Sequence, residues 1–201
     1  MPDRNKIKKT GLFFGSFNPI HTGHLIIANY MLEFTDLDEV WMVISPHNPL
    51  KEKKSLLADH HRYAMVQIAI EDNPRLRSSN IEFKLPQPSY TVDTLAHLEE
   101  KYPNIQFVLI AGSDIFPTFH KWKNYEELLE RHRFYIYSRP GYDEGPFRDH
   151  PNVRIFEAPL IQISSSFIRQ AIADGRDIRY LVPDKIYQYI REMHFYEKES
   201  L

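Results

Sequence analysis

The sequence predicts an α/β fold, a doubly wound parallel sheet flanked by helices on both faces. Three observations carry that expectation. Short apolar runs alternate along the chain with longer amphipathic ones, the rhythm of successive β-α-β units. One run, Phe107 to Ala111, is apolar throughout, as a strand covered on both faces requires. Two of only seven glycines in 201 residues, Gly15 and Gly23, fall at a strand-to-helix junction. Such junctions lie beyond the carboxyl ends of parallel strands, where open sheets bind ligands.

The elements follow in order. Ile7 to Phe14 reads as a strand and His21 to Glu33 as a helix. Val40 to Ile44 is a second strand ended by Ser45-Pro46, and Pro46 to Lys54 is a basic, proline-containing loop. Asp59 is placed to cap a helix running to Glu71, whose apolar positions include Met65, Val66 and Ala69. Ile81 to Phe83 reads as a short strand, and Thr91 to Tyr102 as a helix stopped by Pro103. After Phe107 to Ala111, strands are expected at Phe134 to Tyr137 and Val153 to Phe156. Two helices follow, Ser165 to Ala173 and Pro183 to Met193. The second shows Ile186, Ile190 and Met193 on one face, with Pro183 suited to the first turn. Gly175 stands where a helix C-terminal cap is expected. No repeat, low-complexity tract or linker interrupts the chain, so residues 1–201 are read as a single domain.

Composition removes several classes of function. With no cysteine, the chain has neither a disulfide framework nor a thiolate-ligated metal site. Its 25 basic and 27 acidic residues sum to −2, which disfavours a nucleic-acid-binding surface. No apolar run approaches the ~20 residues needed to span a bilayer, so no membrane partner is expected. The opening MPDRNKIKK lacks the apolar core of a signal peptide, and a cytoplasmic location is expected.

Two stretches carry chemistry. The first is Gly15-Ser16-Phe17-Asn18-Pro19-Ile20-His21-Thr22-Gly23-His24, directly after the first strand. Glycine there lets backbone N–H groups approach a phosphate, and the following helix adds a favourable dipole. His21 and His24, three apart, share one face of a helical turn and can offset charge on a phosphate chain. Taken alone, the pair also fits surface histidines or metal ligands. No carboxylate lies close in sequence to complete a metal triad, so no protein metal ligand is assigned. The second stretch is Ile163-Ser164-Ser165-Ser166-Phe167-Ile168-Arg169, at the start of a helix. Its hydroxyls and N–H groups make an anion site, to which Arg169 adds a forked cation.

The first stretch resembles the G-x-F-x-P-x-H-x-G-H signature of the nucleotidyltransferase superfamily, matched by Gly15, Phe17, Pro19, His21, Gly23 and His24. The second resembles that superfamily's I-S-S-T-x-I-R element, with Ser166 in the threonine position. The resemblance implies a Rossmann-like fold and binding of a nucleoside triphosphate such as ATP. Gly15, Ser16, Phe17, His21 and His24 would stand on one side, and Ser165, Ser166 and Arg169 at the β- and γ-phosphates. It also makes the part from about 160 to 195 a small helical phosphate-binding subregion.

Within the superfamily, the middle of the chain resembles bacterial nicotinate-mononucleotide adenylyltransferases. Pro88-Ser89-Tyr90-Thr91-Val92-Asp93-Thr94 is similar to that family's P-S-Y-T-x-D-T element, which implies Tyr90 and Thr91 at the nicotinate carboxylate. Gly112 and Asp114 correspond to the ribose contacts, Trp122 to a ring that stacks on the pyridine, and Arg139-Pro140-Gly141 to a turn near the adenine. After the second strand the family carries P-P-H-K. Here Leu50 replaces the histidine, while Lys51 remains for the mononucleotide phosphate.

The implied reaction joins ATP and nicotinate mononucleotide into deamido-NAD and pyrophosphate, with catalysis by His21, His24 and Arg169. Mg²⁺ would arrive bound to the triphosphate. The amide mononucleotide or phosphopantetheine is the alternative acceptor, and a non-catalytic nucleotide-sensing module is the reading from another class.

Overall fold

The computed structural model describes residues 7–46, 56–142, 147–159 and 161–198. Six strands form one wholly parallel sheet: β1 (Lys8–Gly15), β2 (Glu39–Ile44), β3 (Leu76–Ser79), β4 (Ile105–Gly112), β5 (Arg133–Tyr137) and β6 (Val153–Phe156). Their spatial order is β3-β2-β1-β4-β5-β6, so the chain winds outward twice from a switch point between β1 and β4. A crevice opens at that point, beyond the carboxyl ends of the strands. The ladder pairs Leu12 with Leu109 and Phe13 with Ile110, which brings Gly15 and Gly112 to the same edge of adjacent strands.

Strand alternation divides the apolar residues between two layers. Phe13, Met42, Ile44, Val108, Ile110 and Tyr135 face helices α1 (Thr22–Phe34), α2 (Asp59–Ala69), α6 (Ser165–Ala173) and α7 (Asp184–Glu192). Leu12, Trp41, Val43, Leu109, Phe134 and Ile136 face α3 (Thr91–Lys101), α4 (Phe116–Phe119) and α5 (Tyr125–Arg131). Because both faces are covered, all six residues of β2 are buried, which explains why such strands read as continuous apolar runs. In α1 the buried Ile27, Ala28, Met31 and Leu32 form the expected stripe. No helix among the described residues is long and apolar enough to cross a membrane.

Two expectations need correction. Ile81 to Phe83 is not a strand but part of a 3₁₀ turn, Ile81–Lys84. The third strand is instead Leu76–Ser79, whose Leu-Arg-Ser-Ser sequence carries little apolar signal because it lies at the sheet edge. Ile81 and Phe83 still go to opposite apolar layers. Asp59 is the first helical residue rather than the cap, which is Ala58. Its carboxylate is drawn 2.5 Å from a guanidinium nitrogen of Arg62. Short helices at Phe116–Phe119 and Tyr125–Arg131 were not expected from periodicity, being four and seven residues long. Gly175 does follow its helix in the left-handed region, at φ 69°.

Candidate active site

The loop after β1 is shaped by one aromatic ring. Phe17 adopts φ 44°, in the left-handed region, and its side chain is buried. A Cβ on Gly15 would lie 2.8 Å from that ring, so only glycine lets the loop fold back over the strand end. The turn delivers His21 as the extended N-cap of α1, and its backbone N–H donates to His24 Nδ1 at 3.3 Å. With Nδ1 accepting, the His24 ring carries its proton on Nε2. The two imidazoles stack at 3.7 Å between centroids, and the edges of Phe17 and Phe13 pack on His24 at 5.0 and 6.2 Å. His24 is therefore aimed by aromatic packing.

His21 is the more buried partner. Burial, with the Arg139 guanidinium second, lowers its pKa from 6.5 to about 4, so the imidazole is neutral at pH 7. Its Nδ1 faces the His24 backbone N–H in a capping box but makes no hydrogen bond of good geometry among the described residues. A buried polar atom left unpaired costs about 1–3 kcal/mol, which a ligand oxygen or hydroxyl there would recover. A depressed imidazole pKa adds stability that is full above pH 6.5 and lost as pH falls towards about 4. We expect about 3 kcal/mol less stability from this group near pH 4. Urea midpoints of wild type and His21→Asn at neutral pH and near pH 4 test it. An equal pH-dependent loss in both proteins would refute the assignment.

The serine-rich helix start docks directly on this loop. Ser164 caps α6, accepting from Phe167 N at 3.1 Å. Ser165 Oγ donates to Pro19 O at 2.9 Å, and Arg169 Nη1 to Asn18 O at 2.8 Å. Arg169 Nη2 lies 3.3 Å from Ser166 Oγ. The two motifs, about 146 residues apart, thus share one surface. Arg169 still has further N–H donors in its five-donor fork for an anion.

On the other side of the switch point, β4 ends at Gly112. A Cβ there would fall on the Asp114 carboxylate and lie 2.8 Å from Arg139 Nε and 2.9 Å from Tyr137 Cε2. Asp114 pairs with Arg139 Nε at 3.3 Å, and the Arg139 backbone N–H donates to Ser113 Oγ at 2.8 Å. Arg139 also reaches the Tyr137 hydroxyl at 3.2 Å. Gly112, Asp114 and Arg139 therefore form one packed corner that electrostatically reaches His21.

Tyr90 and Thr91 open α3, with Tyr90 as an extended N-cap and half-exposed. Lys123 lies over the Tyr90 ring at 4.9 Å and pairs with Asp93 at 2.9 Å. Trp122, one residue before Lys123, packs on Phe119 at 5.3 Å. Lys51 and Leu50 lie outside the described residues.

Three residues of the site escape sequence reading. Arg62 is fully buried in α2, and its guanidinium donates to Ser16 O, Ser45 O, Pro46 O and Leu57 O at 2.7–3.1 Å. The signal was present: Arg62 is three and four residues before Met65 and Val66, on the apolar face. Tyr196 donates to Asn18 Oδ1 at 2.8 Å from near the C-terminal end. Glu82, read as part of a strand, is a buried carboxylate beside the Tyr90 turn.

A doubly wound sheet whose switch point joins a histidine loop to a serine-arginine helix start defines a nucleotide-handling α/β protein. The chain belongs to the cytidylyltransferase-like family, whose sequence model matches residues 12–171. Within it, the chain stands with the nicotinate-nucleotide adenylyltransferases. It is 54% identical to a probable nicotinate-nucleotide adenylyltransferase of Flavobacterium johnsoniae, covering 94% of this chain and all of that one. It is 47% identical to the equally named protein of Bacteroides thetaiotaomicron, covering 96% and 95%. The fold is similar to that of a Plasmodium falciparum nicotinic acid mononucleotide adenylyltransferase complexed with NaAD, at TM-score 0.79, 24% identity and coverage of 94% and 97%.

Proposed function

We infer that the protein is an enzyme that transfers the adenylyl group of ATP to nicotinate mononucleotide, releasing pyrophosphate and forming deamido-NAD. The observation that carries this reading is the direct contact of the two phosphate motifs, Asn18-Pro19 against Ser165 and Arg169. A phosphate oxygen of the mononucleotide attacks the α-phosphorus of ATP. A new P–O bond forms, and the bond to the bridging oxygen breaks with its electron pair leaving on pyrophosphate. The attacking monoester is already anionic, so positioning and charge stabilisation dominate. His24 Nε2–H, supported by His21, faces the charge that develops at the α-phosphate. Arg169 and the serines at the start of α6 receive the leaving pyrophosphate. Gly112, Asp114 and Arg139 form the nucleoside end, while Tyr90, Thr91 and Trp122 form the acceptor end with Lys51. Mg²⁺ would enter on the triphosphate, held mainly by phosphate oxygens and water, and would add charge neutralisation there. Asp114 is already engaged by Arg139, and no protein ligand is assigned.

Pyrophosphate release with ATP and each of nicotinate mononucleotide, its amide and phosphopantetheine tests the reading. The acid is expected to give the largest kcat/KM, and a larger value with phosphopantetheine would overturn it. Trp122→Ala is expected to raise KM for the mononucleotide about 10-fold or more, the worth of one aromatic stack. KM for ATP should move much less, and equal changes for both substrates would remove Trp122 from the acceptor site.

A further inference from the structure

We propose that Glu82 is a positioning residue that holds the acceptor turn Ser89-Tyr90-Thr91 against the phosphate-loop frame. The proposal rests on the adenylyltransferase reading for its substrate and on packing alone for its geometry. Glu82 is 3% exposed, at the inner side of the 3₁₀ turn between β3 and α3. Thr94 Oγ1 donates to its Oε1 at 2.8 Å, and the hydroxyls of Ser45 and Ser89 lie close enough to the carboxylate to favour its charged form. Those hydroxyls belong to three segments: the end of β2, the turn before α3 and the first turn of α3.

Burial in this place raises the Glu82 pKa, against the three hydroxyls that lower it. A carboxylate withdrawn from water to meet hydroxyls alone is a costly way to fill space, since an apolar side chain of similar volume would do so without desolvation. What an apolar side chain lacks is the capacity to fasten three segments to one point. Thr94 Oγ1 also lies 3.2 Å from Tyr90 O, so the same hydroxyl touches the N-cap whose side chain faces outward. Gln87 Nε2 donates to the Glu82 carbonyl at 3.0 Å and fixes the approach to the turn. Ser45 continues the connection, because its N–H donates to Gly15 O at 3.0 Å and its carbonyl accepts from Arg62 at 2.8 Å. Acceptor turn and phosphate loop are thereby referred to a common residue.

The test is Glu82→Ala with Glu82→Gln as the conservative rescue. In Glu82→Ala, KM for nicotinate mononucleotide is expected to rise about tenfold, the worth of a charge-assisted hydrogen bond. Turnover and KM for ATP should stay within about threefold of wild type, as uniform loss of acceptor binding requires. Glu82→Gln, whose amide meets the same hydroxyls after they rotate, should recover most of the acceptor KM. Amide hydrogen exchange supplies a readout independent of activity: in Glu82→Ala it should accelerate in peptides covering 86–95 and stay unchanged in 15–24. Equal changes in the two KM values, no rescue by glutamine, or exchange that rises in both regions or in neither would overturn the proposal. Should Glu82→Ala fail to fold, Ser89→Ala and Thr94→Val carry the same expectations. If wild type does not use nicotinate mononucleotide, the functional reading fails, and the exchange pattern alone decides the role of Glu82.

Discussion

Replacing His24 by alanine is expected to lower kcat by about 10²–10³-fold, the worth of one preorganised donor to a developing oxyanion. The loss should fall on turnover more than on KM for ATP, because in the proposed reaction Arg169 and the α6 hydroxyls would hold the far phosphates independently of His24. Stability should drop by about 1–3 kcal/mol, the scale of the lost ring contacts and one hydrogen bond. The half-buried ring stacks on His21 and meets the Phe17 edge, yet neither neighbour depends on it for a core position. His24→Asn is a sharper control, since it restores a donor near the same place without the ring. It is expected to recover part of the lost turnover. Steady-state kinetics of both variants beside their thermal midpoints check the claim. Near-normal turnover in His24→Ala would place the charge stabilisation elsewhere.

Arg62→Leu is expected to cost about 3–5 kcal/mol of stability, the scale of breaking a buried, fully hydrogen-bonded charge. The side chain is fully buried and serves carbonyls of Ser16, Ser45, Pro46 and Leu57, together with the Asp59 carboxylate. Leucine fills part of the volume and leaves those acceptors unpaired in a place water does not reach. For a chain of this size the thermal midpoint should fall by roughly 10 °C. Arg62→Lys keeps the charge but not the fork, and it should lie between. Asp59→Asn should be mild, because that carboxylate is 43% exposed. A loss below about 1 kcal/mol in Arg62→Leu would mean that the loop carbonyls find other partners.

Most of the architecture was legible in the residues. Strand Val153–Phe156 and helix Ser165–Ala173 fall where apolar spacing puts them. The remaining strands and long helices lie within a residue or two of their expected bounds. The histidine loop and the serine-arginine helix start were visible because each is a contiguous string. The misread third strand shows the limit of that approach. An edge strand needs few apolar residues, so Leu76–Ser79 is quiet, while the neighbouring Ile81 and Phe83 signal loudly and pack without pairing. Arg62, Glu82 and Tyr196 were missed for a related reason. Each acts on backbone or hydroxyl groups distant in sequence, and a lone charged or phenolic residue carries no sign of whom it will meet. Arg62 alone could have been flagged, by its place on an apolar helix face.

The clasp on Asn18 has a temporal side. Its carbonyl is held by Arg169, 151 residues later, and its amide oxygen by Tyr196, 178 residues later. During synthesis the histidine loop leaves the ribosome with β1, but the partners that pin it follow only 151 and 178 residues later. Contacts of such long sequence separation form late and slowly. A nascent chain can therefore build much of the sheet while its nucleotide crevice stays unfinished. The site closes on itself only after all six strands of the sheet have been made.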